Sequence, residues 1–481
     1  MINLLLLFPL FACLILLVFK KSFLNNLMIN LYAILQVIIA SAVCFKIDLL
    51  PFWKSCSFFG FTDRNVIFLA IMSIVFLAVA IYTNGYFKGE VISPRKHRHF
   101  AYMTLLFVLS MTGAILSTNL GVSWVFIEGT TLASAYLIYF NKTKHSIEAA
   151  WKYVFICSIG ISLAFVGIIL LTFATGSLNS LYFNDLYANA SSFNSFWLKL
   201  SFVFILFGIG TKMGLAPVHF WLPDAHAQAP SPISALLSAT LLNSAFLLIL
   251  NMFQLMTFSG CDEYARIMML LMGFISLFIT AVFVYHINNY KRMLAYSSIE
   301  NMGILVIGTA LGGTALLATI IHLIGHSLIK ASFFLTSGNI LKIYETKKIK
   351  SINGLLQIDK KTGWLWILSL IGIVALPPSM LFISEFLIIK TLFLQNKFIL
   401  CAIFLLLLTI ILYGLSKVVI KMCFSPPNNE KEVEIKENAK LLNWTMFTPQ
   451  IVLLIIAFIL GIYMPNWLIT LMVDATKGLG F

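Results

Sequence analysis

The most regular feature of the chain is a series of apolar stretches of about 20 residues, separated by short polar connections. Stretches of this length cross the hydrocarbon core of a bilayer as α-helices. The pattern predicts an all-α integral membrane protein with about fourteen transmembrane helices. The predicted helices are residues 2–20, 27–46, 66–84, 100–117, 119–140, 150–175, 197–216, 231–256, 265–286, 297–311, 314–340, 363–394, 398–422 and 446–463.

Proline interrupts the pattern at two places. Pro217 follows the seventh predicted helix, and Pro377-Pro378 lies within the twelfth. Proline removes a backbone hydrogen bond from a helix, and such breaks at membrane depth occur where they line a cavity. We therefore predict that the seventh and twelfth helices are broken.

Three further segments differ from the apolar stretches. Residues 178–196 are predicted to be a connecting loop, and residues 425–440, where Glu and Lys alternate, a solvated loop. The first twenty residues lack the basic start and small-residue cleavage site of a signal peptide. We predict that they form the first transmembrane helix.

Lys and Arg are unevenly divided between alternate connections, and inside loops carry an excess of these cations. The cation-rich connections contain Lys88, Arg95, Lys96, Arg98, Lys142, Lys144, Lys291, Arg292 and the lysines from Lys342 to Lys361. This distribution predicts a multi-pass protein of the cell inner (cytoplasmic) membrane, with both termini on the outer (periplasmic) side. It also accounts for the formal charge of +14 without a nucleic-acid partner.

Composition narrows the function further. Apolar residues make up 60% of the chain and charged residues 10%, which is too apolar for a soluble domain of 481 residues. The seven cysteines have no metal-ligand or redox spacing, and the chain has no Gly-rich phosphate-binding loop. We predict no cofactor and no metal, so that any redox chemistry belongs to a partner protein.

Several ionisable residues nevertheless lie within the apolar stretches. A charge at the bilayer centre costs about 3 kcal/mol even on insertion scales, so such residues are usually functional. The candidates are Glu128, Lys212, Glu300, His322, His326, Lys330 and Glu385. Ion pairs that only hold helices together are the alternative for each residue, but the number of residues favours a proton path.

His322, His326 and Lys330 follow one another at intervals of four residues. This spacing places them along one face of the eleventh predicted helix. A metal site is the alternative, but no third ligand is evident, whereas imidazoles and buried amines exchange protons readily. We predict a proton relay whose side chains face the bundle interior, each with a polar neighbour from the seventh, eighth or twelfth helix.

The order of these groups also suggests an internal repeat. In the five helices that begin with the fourth, Glu128 lies in the second helix and Lys212 in the broken fourth helix. In the five helices that begin with the ninth, Glu300 lies in the second helix and Glu385 in the broken fourth helix. An odd number of helices inverts the second copy. We predict three N-terminal helices in residues 1–99, inverted five-helix repeats in 100–256 and 265–422, and a charged loop with a C-terminal helix in 423–481.

The run KMGLAPVHFWLPDAHAQAPSPISALLSATLLN (212–243) closely resembles the core of the antiporter-like membrane subunits. These occur in respiratory complex I, in multi-subunit Na+/H+ antiporters and in membrane-bound NiFe hydrogenases. KRMLAYSSIENMG (291–303) and the SEF around Glu385 fit the same family. The resemblance implies a proton path along a central hydrated axis. It makes Glu128 the fifth-helix glutamate, Lys152 the sixth-helix lysine, Lys212 the central lysine and Glu385 the terminal acid.

One position departs from the respiratory members of the family, which usually have a lysine where this chain has Asn243. Asparagine does not titrate, so a water bridges there or the path takes another route. Asn243, Glu300 and HxxxHSLxK (322–330) together look most like component F of hydrogenase-4 and formate hydrogenlyase. That resemblance implies other membrane subunits, peripheral NiFe and iron–sulfur subunits, and the lipid bilayer as partners.

Three hypotheses for the function remain open. The first is a proton-translocating subunit of a redox-driven complex, of the hydrogenase-4 type ahead of complex I, with no redox centre of its own. The second is a subunit of a multi-subunit Na+/H+ antiporter that has no redox partner. The third is a passive scaffold whose buried charges only hold an assembly together.

Overall fold

The computed structural model describes residues 1–47, 57–88, 92–427 and 432–480 of the chain. Within these ranges the backbone is helical, with three isolated β-bridges and no β-strand. The α-helices are α1 (Ile2–Val18), α2 (Ser22–Cys44), α3 (Asp63–Tyr86), α4 (Pro94–Leu116), α5 (Leu120–Ile138), α6 (Lys144–Thr175), α7 (Phe183–Ala188), α8 (Ser195–Met213), α9 (Leu222–Gln228), α10 (Ser231–Leu236), α11 (Leu242–Phe258), α12 (Asp262–Val284), α13 (Tyr290–Leu311), α14 (Thr314–Tyr344), α15 (Leu355–Ile358), α16 (Lys360–Ile373), α17 (Met380–Leu394), α18 (Phe398–Phe424), α19 (Glu432–Lys440), α20 (Thr448–Ile462) and α21 (Asn466–Thr476).

Helices long and apolar enough to cross a membrane dominate the fold. Twelve helical segments of the described chain meet this condition, and Ile2–Val18 is apolar but shorter. The predicted all-α membrane fold is confirmed, and each predicted helix coincides with a helical region. The number of membrane crossings stays a prediction.

Both predicted helix breaks are present. The first separates α8 from α9, where Gly214 adopts a left-handed backbone with φ of 78° that favours glycine. The second separates α16 from α17, where the Ser379 side chain accepts a hydrogen bond from the Phe382 N–H and so begins α17. Each break frees backbone carbonyl and N–H groups within the bundle.

The centre of the bundle is formed by α13, α14 and the continuous helix Ser231–Phe258, which contains a π-helical turn at Leu237–Leu241. These helices are almost entirely buried, whereas α6 and α18 leave most of their surface exposed. The long helix α14 packs against α13, α16, α17 and α20. It therefore runs past both halves of the second broken helix.

Several helices begin earlier than their apolar stretches predict. Helix α4 begins at Pro94 after the Ser93 cap, so Arg95, Lys96 and Arg98 lie in its first turns rather than in a loop. Helix α13 begins at Tyr290, capped by Asn289. Hydropathy marks only the apolar part of a helix, whereas the helix continues through polar turns to its cap.

Connections and the C-terminus also differ from the prediction. The predicted loop 178–196 contains the short helix α7. Residues 432–440 of the predicted solvated loop form α19, and residues 428–431 lie outside the described ranges. Helix α21 follows the last predicted helix, and its eleven residues are too short to stand out as a membrane span.

A buried guanidinium joins α21 to the bundle. Arg64 is 8% exposed and donates to the carbonyl oxygens of Ala475 and Lys477, each at 3.0 Å. It also donates to the side chains of Asn251, at 3.0 Å, and Gln254, at 2.9 Å. All four acceptors are neutral, so hydrogen bonds rather than a direct ion pair hold this charge within the described part of the chain.

We expect Arg64→Ala to lower the free energy of unfolding by at least about 3 kcal/mol, because it removes four hydrogen bonds from a charged group, each of which contributes about 1.5–3 kcal/mol. Thermal unfolding in detergent measures the change. Lys477→Ala is the matched control, since its side chain is 70% exposed while its carbonyl stays in place. An Arg64→Ala protein as stable as the control would contradict this account of α21.

Candidate functional site

Lys212 lies in the last turn of α8, directly before the first helix break, and is fully buried. Its Nζ donates to Tyr153 Oη at 2.9 Å and lies 4.7 Å from the centre of that ring. Tyr153 Oη in turn lies 2.6 Å from Ser134 Oγ. The ammonium is therefore held by a neutral hydroxyl and a ring face, and a chain of hydroxyl groups leads from it to α5.

Glu128 lies on α5, the same helix as Ser134, and is partly buried. Its Oε2 accepts a hydrogen bond from Thr131 Oγ1 at 2.9 Å. Among the described residues, no ion pair within 4.0 Å joins Glu128 to Lys212. The two groups share a region of the bundle without direct contact.

Lys152 does not approach Lys212. Its side chain is 47% exposed and forms ion pairs with Glu148 at 2.6 Å and with Asp224 at 3.3 Å. Asp224, on α9, also pairs with Arg292 of α13 at 2.5 Å. The sixth-helix lysine of the resemblance therefore pairs with Glu148 and Asp224 rather than with Lys212. Its place in the proton path stays a prediction.

We expect Lys152→Gln to lower proton translocation by no more than about fivefold, since exposed ion pairs contribute about 0–1 kcal/mol and a factor of ten needs about 1.4 kcal/mol. Proton uptake by membrane vesicles measures it. Glu148→Gln, which removes one of the two partners, is the control. A Lys152→Gln loss as large as that of a buried lysine would assign Lys152 a direct role.

The carbonyl end of α9 is held by two further lysines. Lys291 is fully buried, and its Nζ donates to Ala229 O at 2.7 Å. Lys347 donates to Ala227 O at 2.8 Å and to Gln228 Oε1 at 3.3 Å, and burial lowers the pKa of Lys347 to about 8. The prediction of Lys291 as a loop cation is wrong, because carbonyl groups freed near the break draw its side chain into the bundle.

Lys330 lies in the middle of α14 and is fully buried. Its Nζ donates to Leu294 O at 2.8 Å and to Ser297 Oγ. Both partners belong to α13, the tenth predicted helix, so the expected neighbour from the seventh, eighth or twelfth helix is wrong here. Like Lys212, this lysine has neutral partners and no carboxylate within 4.0 Å among the described residues.

His326 is buried one turn before Lys330, and neither of its ring nitrogens has a hydrogen-bond partner among the described residues. The backbone carbonyl of Ser238, on the eighth predicted helix, nevertheless lies near enough to act on the imidazole, so the expected polar neighbour is present. Asn243, the candidate on the eighth predicted helix, donates to Ala239 O at 2.8 Å and to Ser327 Oγ at 2.7 Å. Its amide N–H groups therefore bind its own helix and the residue next to His326.

His322 connects three helices. One ring nitrogen, Nδ1, lies 2.9 Å from Ser384 Oγ on α17, and the other, Nε2, lies 3.0 Å from Asn301 Oδ1 on α13. Ser384 directly precedes Glu385, and Asn301 directly follows Glu300. The predicted polar neighbour from the twelfth helix is present, and the imidazole binds the sequence neighbours of both acids.

Glu300 and Glu385 line one cavity of about 230 Å³ beside the second helix break. Glu300 is 5% exposed, and its Oε2 has no hydrogen-bond partner among the described residues. The cavity wall also includes Val374, Ala375 and Leu376 of the break. In so apolar a space, a charge on one carboxyl group disfavours a charge on the other.

Two residues of this region are not evident from the sequence pattern. Tyr153, the partner of Lys212, follows Lys152 and carries no charge that would stand out in an apolar stretch. His226, in LPDAHAQ, is buried, with Nδ1 at 3.0 Å from Leu222 O of its own helix and its ring 5.3 Å from that of Phe334 on α14. Its position within the motif 212–243 is the one signal that could have singled it out.

Among the described residues, no group of three or more His, Cys, Asp or Glu side chains could hold a metal ion. The ionisable groups instead lie singly or in pairs along α8, α13, α14 and α17. Hydroxyl, amide and imidazole groups lie beside them. Such an arrangement suits transfer of protons between neutral and charged side chains rather than binding of a large ion.

Comparison with known proteins gives consistent matches. A family model described as NADH:quinone oxidoreductase/Mrp antiporter, TM, matches residues 117–411. Hydrogenase-4 component F homolog of Methylacidiphilum infernorum is 34% identical over 403 residues, covering 81% of this chain and 83% of that protein. An Na(+)/H(+) antiporter subunit of Alkalihalophilus pseudofirmus is 27% identical over 404 residues, covering 83% of this chain and 78% of that protein. A chain of the membrane-bound sulfane sulfur reductase, an archaeal respiratory membrane complex, superposes with a TM-score of 0.85 at 22% identity, covering 99% of this chain and 97% of that one.

Proposed function

Because the chain belongs to the NADH:quinone oxidoreductase/Mrp antiporter family of membrane proteins, we propose that it carries protons across the membrane as one subunit of a redox-driven complex of the hydrogenase-4 type. The chain supplies the proton path, and partner proteins supply the redox chemistry. The relative with 34% identity favours the hydrogenase branch.

One observation carries the proposal: Lys212 and Lys330 are fully buried amines with neutral hydrogen-bond partners. A buried lysine without a carboxylate partner is costly when charged, so its proton is easily displaced by a change in the local field. A structural ion pair would instead hold the charge permanently. The two lysines are thus suited to gain and lose a proton in each cycle.

The neighbouring groups supply the steps between them. Tyr153 and Ser134 connect Lys212 to the region of Glu128 through hydroxyl groups that both donate and accept hydrogen bonds. At the other end of the path, His322 contacts α13 and α17 beside Glu300 and Glu385. Neutral imidazole has one donor and one acceptor nitrogen, so it passes a proton by exchanging their roles.

The principal alternative is a subunit of a cation/proton antiporter, favoured by the 27% identity to a protein of that class. Complex I is a second, related alternative. To separate these alternatives from the proposal, the assembled complex is purified in mild detergent through a tag on this chain. Mass spectrometry then identifies the other subunits. Peripheral NiFe and iron–sulfur subunits would support the proposal, whereas recovery of antiporter subunits alone would overturn its redox part.

We also propose that both termini face the outer side of the cytoplasmic membrane, from the excess of Lys and Arg at the opposite helix ends. Fusion of alkaline phosphatase to the C-terminus should give an active enzyme, since this enzyme matures only outside the cytoplasm. Fusion of a cytoplasm-dependent fluorescent protein should give no fluorescence. The reverse pair of results would contradict the orientation.

A further inference from the structure

A lateral groove lies between α5 and α6. Its volume is about 420 Å³, and it opens on the surface of the bundle rather than toward its centre. The groove is lined by Ala135, Tyr136, Tyr139, Ile147, Ala150, Trp151 and Val154. Trp151 is 70% exposed, so a large aromatic ring stands at the edge of an apolar channel.

Basic residues lie near Tyr136, at one end of this groove. His99 of α4 packs its ring against that of Tyr136, with the centroids 5.8 Å apart. Arg95, Arg98 and Lys142 lie close enough for their charges to act on His99. Among the described residues, none of these three cations has a carboxylate within 4.0 Å.

From this geometry we propose that the groove binds an anionic phospholipid, with an acyl chain along the groove and the phosphate at Arg95, Arg98 and Lys142. Basic pockets between transmembrane helices recognise anionic headgroups, and Trp and Tyr side chains favour the membrane–water boundary. The apolar channel and the cation cluster are adjacent through Tyr136. One molecule with an apolar tail and a negative head matches both parts.

Charge distinguishes this occupant from a neighbouring protein. Any protein packed over the groove would bury three unpaired cations unless it supplied matching carboxylates, and burying unpaired charge is strongly unfavourable. A lipid phosphate meets the cations at the water boundary without that cost. The lipid also covers the exposed ring of Trp151 without any specific partner.

The test measures how much lipid the intact purified complex retains. The complex is placed in nanodiscs of phosphatidylglycerol or of phosphatidylcholine with the same acyl chains. After detergent exchange, native mass spectrometry should find phosphatidylglycerol retained on this chain at least about tenfold more than phosphatidylcholine. The triple variant Arg95→Gln/Arg98→Gln/Lys142→Gln should lose that preference. Equal retention of both lipids by the wild-type protein would overturn the proposal.

A matched triple variant controls for loss of charge alone. Lys20, Lys21 and Lys350 are exposed outside the groove, and Lys20→Gln/Lys21→Gln/Lys350→Gln should keep the preference. An equal loss in both triple variants would contradict a localised site. If the first triple variant fails to fold, Ala150→Trp fills the groove while keeping every charge, and it should release the lipid in the same way.

A photo-reactive benzoylphenylalanine in place of Trp151 identifies the occupant directly. Cross-linking to phospholipid in native membranes is the expected result. Cross-linking to another protein of the complex would show that the groove is an interface between subunits, and would overturn the lipid assignment.

Discussion

Lys212→Ala should lower proton translocation at least about 100-fold in a complex that still assembles, because removal of a positioned proton-transfer group typically costs a factor of about 10²–10⁴. The loss follows from the position of the amine, which is fully buried at the first helix break and held by Tyr153 Oη at 2.9 Å. Proton uptake by inverted membrane vesicles measures the rate, and immunoblotting measures assembly.

Two further variants separate proton transfer from charge. Lys212→Arg keeps the positive charge but should also fail, because a guanidinium does not release its proton in proteins. Lys390, an exposed lysine of α17, gives the matched control, and Lys390→Ala should translocate protons at the wild-type rate. A Lys212→Ala protein that assembles and sustains the full proton gradient would support the passive scaffold instead.

The second large effect concerns the two acids that share a cavity. Glu385→Gln and Glu300→Gln should each lower proton translocation at least about tenfold, since glutamine keeps the shape but cannot bind and release a proton. Because both carboxyl groups line the same 230 Å³ cavity, the double variant should be little worse than the more damaging single variant.

Glu263→Gln is the control for this pair, since Glu263 is an exposed acid in the first turn of α12. Its rate should stay at the wild-type level. If the effects of Glu300→Gln and Glu385→Gln multiplied in the double variant, the two acids would be acting independently, which would contradict a shared site. Undiminished proton translocation by the Glu385→Gln protein would show that Glu385 is not part of the proton path.

The family and the main membrane helices are predictable because their signals are local. The motif 212–243 identifies the family, and apolar stretches identify the helices. Proline marks both breaks, since its missing N–H acts on its own turn of helix. Lys212 and His322 stand out for the same reason, because a charged or titratable residue in an apolar stretch is visible without knowledge of its neighbours.

Partners across helices are not predictable in this way. Lys152 and Tyr153 are adjacent in sequence, yet at 3.6 residues per turn they point in directions about 100° apart, and only Tyr153 reaches Lys212. Asn301 and Ser384, which bind His322, are ordinary polar residues whose importance depends on the packing of α13 and α17 against α14. Periodicity gives the face of one helix but not its rotation relative to the next.

Helix ends are the other source of error. Hydropathy places Arg95 and Lys291 in loops, but the capping residues Ser93 and Asn289 extend the helices past them. Helix α21 does not stand out in the sequence because its eleven residues are too short for a membrane span, and its attachment depends on Arg64, which is distant along the chain. The inverted repeats and the four predicted segments, 1–99, 100–256, 265–422 and 423–481, stay predictions.

Passage of protons through the buried groups of this chain can be measured as the number of protons translocated per electron pair in proteoliposomes of the purified complex. Lys330→Met is the most informative variant, since it keeps an unbranched side chain in the middle of α14 but removes the amine. We expect this ratio to fall in the Lys330→Met complex, or electron transfer and proton translocation to fall together. An unchanged ratio at unchanged electron transfer would contradict this expectation.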